Sequence, residues 1–179
     1  MQTDKNIFLR RFMDQDAPRL AELANNKHIW NFLRDRMPHP YTLAHAEHFI
    51  AQCNTEGPQL TFAIDYMGEL AGVIGLVPKK DIHRFTCELG FWVGEPYWGK
   101  GIISEAVPRV LVHAFGLMNC LRVETHVFAT NVVSQHVMDK CGFNLEAHCK
   151  SAAVKNGEIL DEFRYSVVNP NFNAAIAGL

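Results

Sequence analysis

Between Gly94 and Ala106 the chain reads Gly-Glu-Pro-Tyr-Trp-Gly-Lys-Gly-Ile-Ile-Ser-Glu-Ala, with two glycines flanking Lys100 just ahead of an apolar run at helical spacing. Glycine lets the backbone come close to an anion, and a helix starting near Gly101 offers unpaired N–H groups and the positive end of its dipole. That combination suits a phosphate or pyrophosphate, and it suits a plain tight turn from strand to helix as well. Gly94, Gly99 and Lys100 stand at the G-x-x-x-x-G-K spacing of a P-loop. Gly101, however, takes the place of the Ser or Thr that would hold magnesium, and Pro96 interrupts the loop, so a P-loop is set aside. The G-x-G-x-x-G fingerprint of dinucleotide-binding folds is missing too. His45 and His48 lie three apart on a predicted helix but lack a third ligand, and the nine histidines form no H-E-x-x-H spacing, so no metal is expected.

The elements that must position this loop follow from periodicity and punctuation. Ile7–Phe12 reads as a strand, and Asp14 or Asp16 as the cap of a helix carrying Leu20, Leu23 and Ala24. A short helix over His28–Arg34, stopped by Pro38 and Pro40, precedes one capped by Thr42 with an apolar face of Leu43, Ala46, Phe49 and Ile50, ended by Gly57-Pro58. Leu60–Tyr66, Leu70–Val77 and Phe85–Val93 alternate as three strands of an antiparallel meander. After the glycine loop come a helix through Ala106, Val110, Leu111, Ala114 and Phe115, a strand Arg122–Phe128, and a helix opened by Asn131 and closed by Gly142. Two last strands, Phe143–His148 and Ile159–Val168, flank the turn Lys155-Asn156-Gly157. The order β-α-α-α-β-β-β-α-β-α-β-β predicts a mixed α/β fold: a mostly antiparallel sheet of six to seven strands with helices on both faces. One domain over residues 1–179 is expected, with 170–179 as a loosely held tail.

Composition narrows the function classes. Apolar residues make up 48% and charged residues 20% of the chain, an ordinary globular balance. Seventeen Lys and Arg against nineteen Asp and Glu give a net charge of -2, which argues against direct nucleic-acid binding and requires any acidic ligand to be held locally. The five cysteines are odd in number and never spaced as C-x-x-C, which points to a reducing cytoplasm. No apolar stretch approaches the ~20 residues that cross a bilayer, so no membrane association is expected.

Glu88-Leu-Gly-Phe-Trp-Val93 followed by Tyr97-Trp-Gly-Lys-Gly-Ile-Ile-Ser-Glu-Ala106 resembles motif A of the GNAT N-acetyltransferases. Leu9-Arg-Arg-Phe12 with Asp16-Ala17, Pro40-Tyr-Thr-Leu43 with Ala46-Glu47, Gly72-Val-Ile-Gly75, Asn131-Val-Val-Ser134 and Cys141-Gly-Phe143 fall in the order seen in the ribosomal-protein (Rim-type) branch. The resemblance runs over about residues 7–168. It implies acetyl-CoA as co-substrate and an amine acceptor, either a protein N-terminus or a small molecule. A monomer and a homodimer both fit. The family's loop pattern of Gln or Arg, two residues, Gly, one residue, Gly or Ala is met here by Trp98, Gly101 and Ile103; Ile103 is bulkier than the norm, which implies altered packing with binding retained.

The resemblance also assigns roles. Backbone N–H groups of Trp98, Gly99, Lys100, Gly101, Ile102 and Ile103, with Ser104 beside them, would hold the pyrophosphate. The strand through Phe91, Trp92 and Val93 would expose an N–H to the thioester oxygen at a bulge that Gly90 or Gly94 permits. Glu88 stands where many members carry the carboxylate that takes the amine's proton, directly or through water. Ser134 matches the serine that protonates the departing thiolate, and Asn131 a neighbour that orients coenzyme A. Some members carry a glutamate in the segment matched by Lys150–Val154, where this chain has Ala152 and Ala153. Trp30 and Tyr41, with Phe32 and Phe49, are further candidates for lining an acceptor pocket, although aromatics at helical spacing also build cores. A non-catalytic acyl-CoA-binding module of the same fold is the competing expectation.

Overall fold

The structure, a computed structural model, describes residues 6–55 and 58–175. Seven strands form one sheet in the order β1-β2-β3-β4-β5-β7-β6: Ile7–Arg10 (β1), Thr61–Tyr66 (β2), Glu69–Pro78 (β3), Thr86–Val93 (β4), Arg122–Phe128 (β5), Asn144–Lys155 (β6) and Glu158–Val168 (β7). Among the described residues five α-helices accompany them: Ala17–Ala24 (α1), Lys27–Trp30 (α2), Leu43–Thr55 (α3), Ile102–Val112 (α4) and Val132–Lys140 (α5). Pairing is antiparallel for β1 with β2, β2 with β3, β5 with β7 and β6 with β7, and parallel for β4 with β5. This is the mixed, mostly antiparallel sheet that the order of elements implies. The chain divides into two compact units: Met1–Gly75 with Phe91–Ala106, and Leu76–Gly90 with Val107–Leu179.

In the first unit, α1 and α3 bury one face each. Phe12, Ala17, Leu20 and Ala24 pack with Tyr41, Ala46, Ile50 and Cys53 and with Ala63, Leu70 and Val73 of the sheet. Helix α3 opens with a reciprocal cap: Thr42 Oγ1 accepts from the His45 N–H (3.3 Å) while His45 Nδ1 accepts from the Thr42 N–H (3.1 Å). His45 is thereby a capping side chain. Asp16 precedes α1 but gives it no side-chain cap, contrary to expectation; its carboxylate takes Nη1 and Nη2 of Arg10 (2.7 and 2.9 Å) and the Met13 N–H (2.8 Å). The charge-assisted fork is the stronger partner. The second helix also differs, covering Lys27–Trp30, because the Asn26 side chain accepts from the His28 and Ile29 N–H groups and starts it early.

In the second unit, Cys87, Leu89, Val107, Val110, Cys120, Val123, Val127, Met138, Phe143 and Tyr165 are buried. Helix α4 stops at Val112, short of the expected Phe115, and passes into a π-helical turn over His113–Leu117. Pro108 within α4 lacks an N–H and Gly116 is a poor helix former, so the regular ladder is weak there. Strand β6 is far longer than the expected Phe143–His148, running to Lys155. The turn Asn156-Gly157 has φ of 54° and 80°, the left-handed pair that a two-residue hairpin requires. The described part of the tail is tied down: the Asn169 side chain donates to the Cys120 carbonyl (2.9 Å), and Phe172 meets Phe85 edge-on.

Candidate active site

In the first unit β4 runs into a short turn Glu95–Tyr97, then Trp98–Gly101, then α4. Tyr97 anchors this passage: its buried hydroxyl accepts from Arg19 Nη2 (2.9 Å) and donates to Glu69 Oε2 (3.0 Å). Asn26 Nδ2 donates to Glu95, whose carboxyl is held below its ordinary range by that bond and by His28. Gly99 and Gly101 have φ of 73° and 71°, the left-handed region in which a side chain is strained, on either side of Lys100. The Lys100 ammonium sits 5.5 and 5.2 Å from the ring centroids of Tyr66 and Tyr97. The eleven residues of α4 follow Gly101 directly, so the first N–H groups of the helix have no partner inside it. These residues fit an anion such as the pyrophosphate of coenzyme A. Ile102 is buried, whereas Ile103 and Ser104 are half-buried, so the bulk of Ile103 is accommodated at the edge of the packing.

Trp98 is 48% exposed, and its indole N–H donates to the Val93 carbonyl (2.8 Å). Val93 is buried, Phe91 and Trp92 half-buried, and Trp92 packs on the α1/α3 core. The Trp92 carbonyl has an unusual place. A Cβ built on Gly72 of β3 would stand 2.3 Å from that oxygen and 2.9 Å from the Val93 Cα. Gly72, which carries no Cβ, leaves room for the Trp92–Val93 peptide at this approach.

Of the residues expected at an acceptor pocket, Tyr41 is 8% exposed within the core. Burial pushes its phenol up to about 12, and the hydroxyl donates to the His45 carbonyl (3.4 Å). Tyr41 is thus a packing side chain. Trp30 stacks on His39 at 5.4 Å, and its indole N–H donates to the Met37 carbonyl (2.8 Å).

In the second unit Glu88 is half-buried on β4, in register with Glu124 of β5. The next carbonyl, that of Leu89, accepts from Thr125 Oγ1 (2.9 Å). Burial of Glu124, 7% exposed, would raise its carboxyl, but hydrogen bonds from Lys79 and Arg122 outweigh burial and hold it below the ordinary range. Ser134 is half-buried in the first turn of α5. The cap of that helix is Asn131, whose Oδ1 accepts from the Ser134 N–H (3.1 Å), so the serine hydroxyl is not needed for capping. Where some GNAT members have a glutamate, β6 bulges. Its register passes from Cys149 opposite Glu162 to Ala153 opposite Leu160, two residues longer than β7. Asp161 holds the bulge by accepting from the Ser151 N–H (2.8 Å) and contacting His148 Nε2 (2.6 Å). Sequence patterns gave no signal for this pair, because the bulge interrupts alternation.

Among the described residues no group of three or more His, Cys, Asp or Glu side chains is placed to hold a metal, and no helix is long and apolar enough to cross a membrane.

Comparison with known proteins matches residues 6–144 to the acetyltransferase (GNAT) domain. An uncharacterized N-acetyltransferase of Bacillus subtilis is 26% identical over 174 residues, covering 95% of this chain and 97% of its own. The crystal structure of ribosomal-protein-S5-alanine acetyltransferase from Vibrio fischeri superposes with a TM-score of 0.82 at 20% identity, covering 94% of this chain and 96% of that one. Spermidine N-acetyltransferase from Vibrio cholerae, in complex with CoA and spermine, gives a TM-score of 0.78 at 23% identity, with 93% and 97% covered. With the family's domain matched over most of its length, this chain belongs to the GNAT family of acetyl-CoA-dependent N-acetyltransferases.

Proposed function

We propose that the chain moves the acetyl group of acetyl-CoA onto a primary amine, either the N-terminal α-amine of a protein or a small-molecule amine. The observation that carries this reading is the left-handed Gly99 and Gly101 around Lys100, directly ahead of α4, in a chain matched to the GNAT domain. Backbone N–H groups of residues 98–103 hold the pyrophosphate, and the Trp92–Val93 peptide supplies a donor for the thioester oxygen.

The amine nitrogen attacks the thioester carbon, the C–S bond breaks, and the sulfur leaves as a thiolate. Glu88 takes a proton from the nitrogen, Ser134 gives one to the sulfur, and exchange with solvent reprotonates the serine and takes the proton from Glu88. Asn131 fixes the first turn of α5 through the Ser134 N–H and so orients the serine. Relatives whose names specify ribosomal protein S5 and spermidine support both acceptor classes.

Ala152 and Ala153 in the β6 bulge favour a second reading, a non-catalytic acyl-CoA-binding module. Mass spectrometry of peptides and polyamines incubated with enzyme and acetyl-CoA separates the two. N-acetylated product supports transfer, and coenzyme binding with no product from either class supports the module.

A further inference from the structure

A carboxylate that takes a proton during turnover has to be held in place, and the end of a strand ladder is where backbone loosens first. Glu88 stands at such an end. The parallel register of β4 with β5 runs over three pairs, Thr86↔Arg122, Cys87↔Val123 and Glu88↔Glu124, and the pair that carries Glu88 is the last. Gly90 follows two residues on, exposed and without a side chain to restrict it.

Carbonyls of alternate residues leave a strand on the same side. The Phe85 carbonyl accepts from the Arg122 N–H at 3.2 Å, so the carbonyls of Cys87 and Leu89 face β5 as well. The Leu89 carbonyl lies one step past the last pair, and its donor is a side chain: the Thr125 hydroxyl, at 2.9 Å. Both residues are buried, so water does not stand in for that donor. A buried carbonyl stripped of its donor costs more than an exposed one, and a threonine has a single hydroxyl proton, which here is committed to Leu89. The hydroxyl therefore serves as an extra rung of the ladder, placed between Glu88 and Gly90.

We propose that Thr125 is a positioning residue for Glu88: its hydroxyl closes the β4–β5 ladder one residue past the carboxylate, so the backbone of Glu88 is held from both sides and its side chain keeps one direction. With the hydroxyl removed, Glu88 becomes the fraying end of the ladder beside a glycine. Thr125 is buried and acts through Glu88. This inference rests on the reading of Glu88 as the group that takes the amine's proton.

The test compares Thr125→Val, which keeps the shape and loses the donor, with Thr125→Ser, which keeps the donor, each alone and combined with Glu88→Gln. Turnover of an amine that the wild type acetylates is measured with acetyl-CoA affinity and thermal midpoint. Thr125→Val is expected to lower kcat about tenfold with acetyl-CoA affinity unchanged, and Thr125→Ser to stay within about threefold of wild type. In the Glu88→Gln background Thr125→Val should cost less than about twofold more, because the group it positions is already gone. An equal loss in both backgrounds, or a Thr125→Val enzyme within about twofold of wild type, overturns the inference while acetyl transfer stands. A lower thermal midpoint with unchanged kcat marks the bond as structural only and also overturns it. Should Thr125→Val fail to fold, Thr125→Ser and Thr125→Ala, which differ only by the hydroxyl, give the same comparison. A wild type that acetylates no amine, or a Glu88→Gln enzyme as fast as wild type, refutes the reading beneath and this inference with it.

Discussion

Gly72 lies beneath the Trp92 carbonyl, and a Cβ at Gly72 would come within 2.3 Å of that oxygen. Gly72→Ala must therefore displace the Trp92–Val93 peptide, the proposed donor to the thioester. It is expected to lower stability by roughly 1–3 kcal/mol, as overpacking does, and to weaken acetyl-CoA binding. Gly90→Ala, whose Cβ would meet nothing within 4 Å, is expected to change stability by less than about 0.5 kcal/mol. Thermal scans of both variants decide this, and a Gly72→Ala protein as stable as wild type would show that the close approach relaxes freely.

Coenzyme binding should depend on backbone more than on charge at the loop. Acetyl-CoA at a hundredfold excess over its dissociation constant is expected to stabilise the wild type by about 2.7 kcal/mol. Gly101→Val, at a φ of 71°, should abolish most of that shift, because a β-branched side chain is strained there and blocks the anion. Lys100→Ala should lose less, since the ammonium leans on Tyr66 and Tyr97 and the backbone donors remain. Calorimetry that ranks the two the other way would place recognition in the lysine.

Much of this loop was legible because glycine, helix start and anion affinity are local properties. Asn131, Gly142 and Asn156-Gly157 were legible for the same reason: each sets a φ or a cap within its own few residues. Partners made across strands were not. Arg122 of β5 meets Glu146 of β6, and Tyr97 meets Glu69, only because the fold brings distant positions together. Tyr41 could be read as pocket or core, and burial decided for core. The β6 bulge hid Ser151 and Asp161 by breaking the alternation from which strands are read.

Asn131 and Ser134 should separate structure from turnover. Asn131→Ala removes the cap of α5 and is expected to cost about 1 kcal/mol of stability. Ser134→Ala is expected to leave the thermal midpoint near wild type and to lower kcat without rescue by rising pH. Loss of stability in Ser134→Ala equal to that in Asn131→Ala would return the serine to a structural role.

Acid should loosen the second unit through Glu146 and Glu124. Hydrogen bonds from Arg122 and Ser166 hold the Glu146 carboxyl at about 2, against an ordinary 4.5. A group whose folded value is depressed stabilises the fold fully above its unfolded value and loses that contribution as pH falls through the folded one. Stability should therefore decline between pH 4.5 and about 2, and Arg122→Gln should flatten that decline while lowering stability at neutral pH. Urea unfolding across this range measures both. An unchanged pH dependence in Arg122→Gln would contradict the assignment.

The most direct test of acetyl transfer is amine-dependent release of coenzyme A thiol, measured with its N-acetylated product for wild type and Glu88→Gln across pH. The expected result is one thiol released per acetylated amine. Glu88→Gln should be slower by about 10²-fold near neutrality, with a defect that shrinks as pH rises and more of the amine is already neutral, and with unchanged acetyl-CoA affinity. Tight binding of acetyl-CoA with no amine-dependent thiol release from any peptide or polyamine would contradict it.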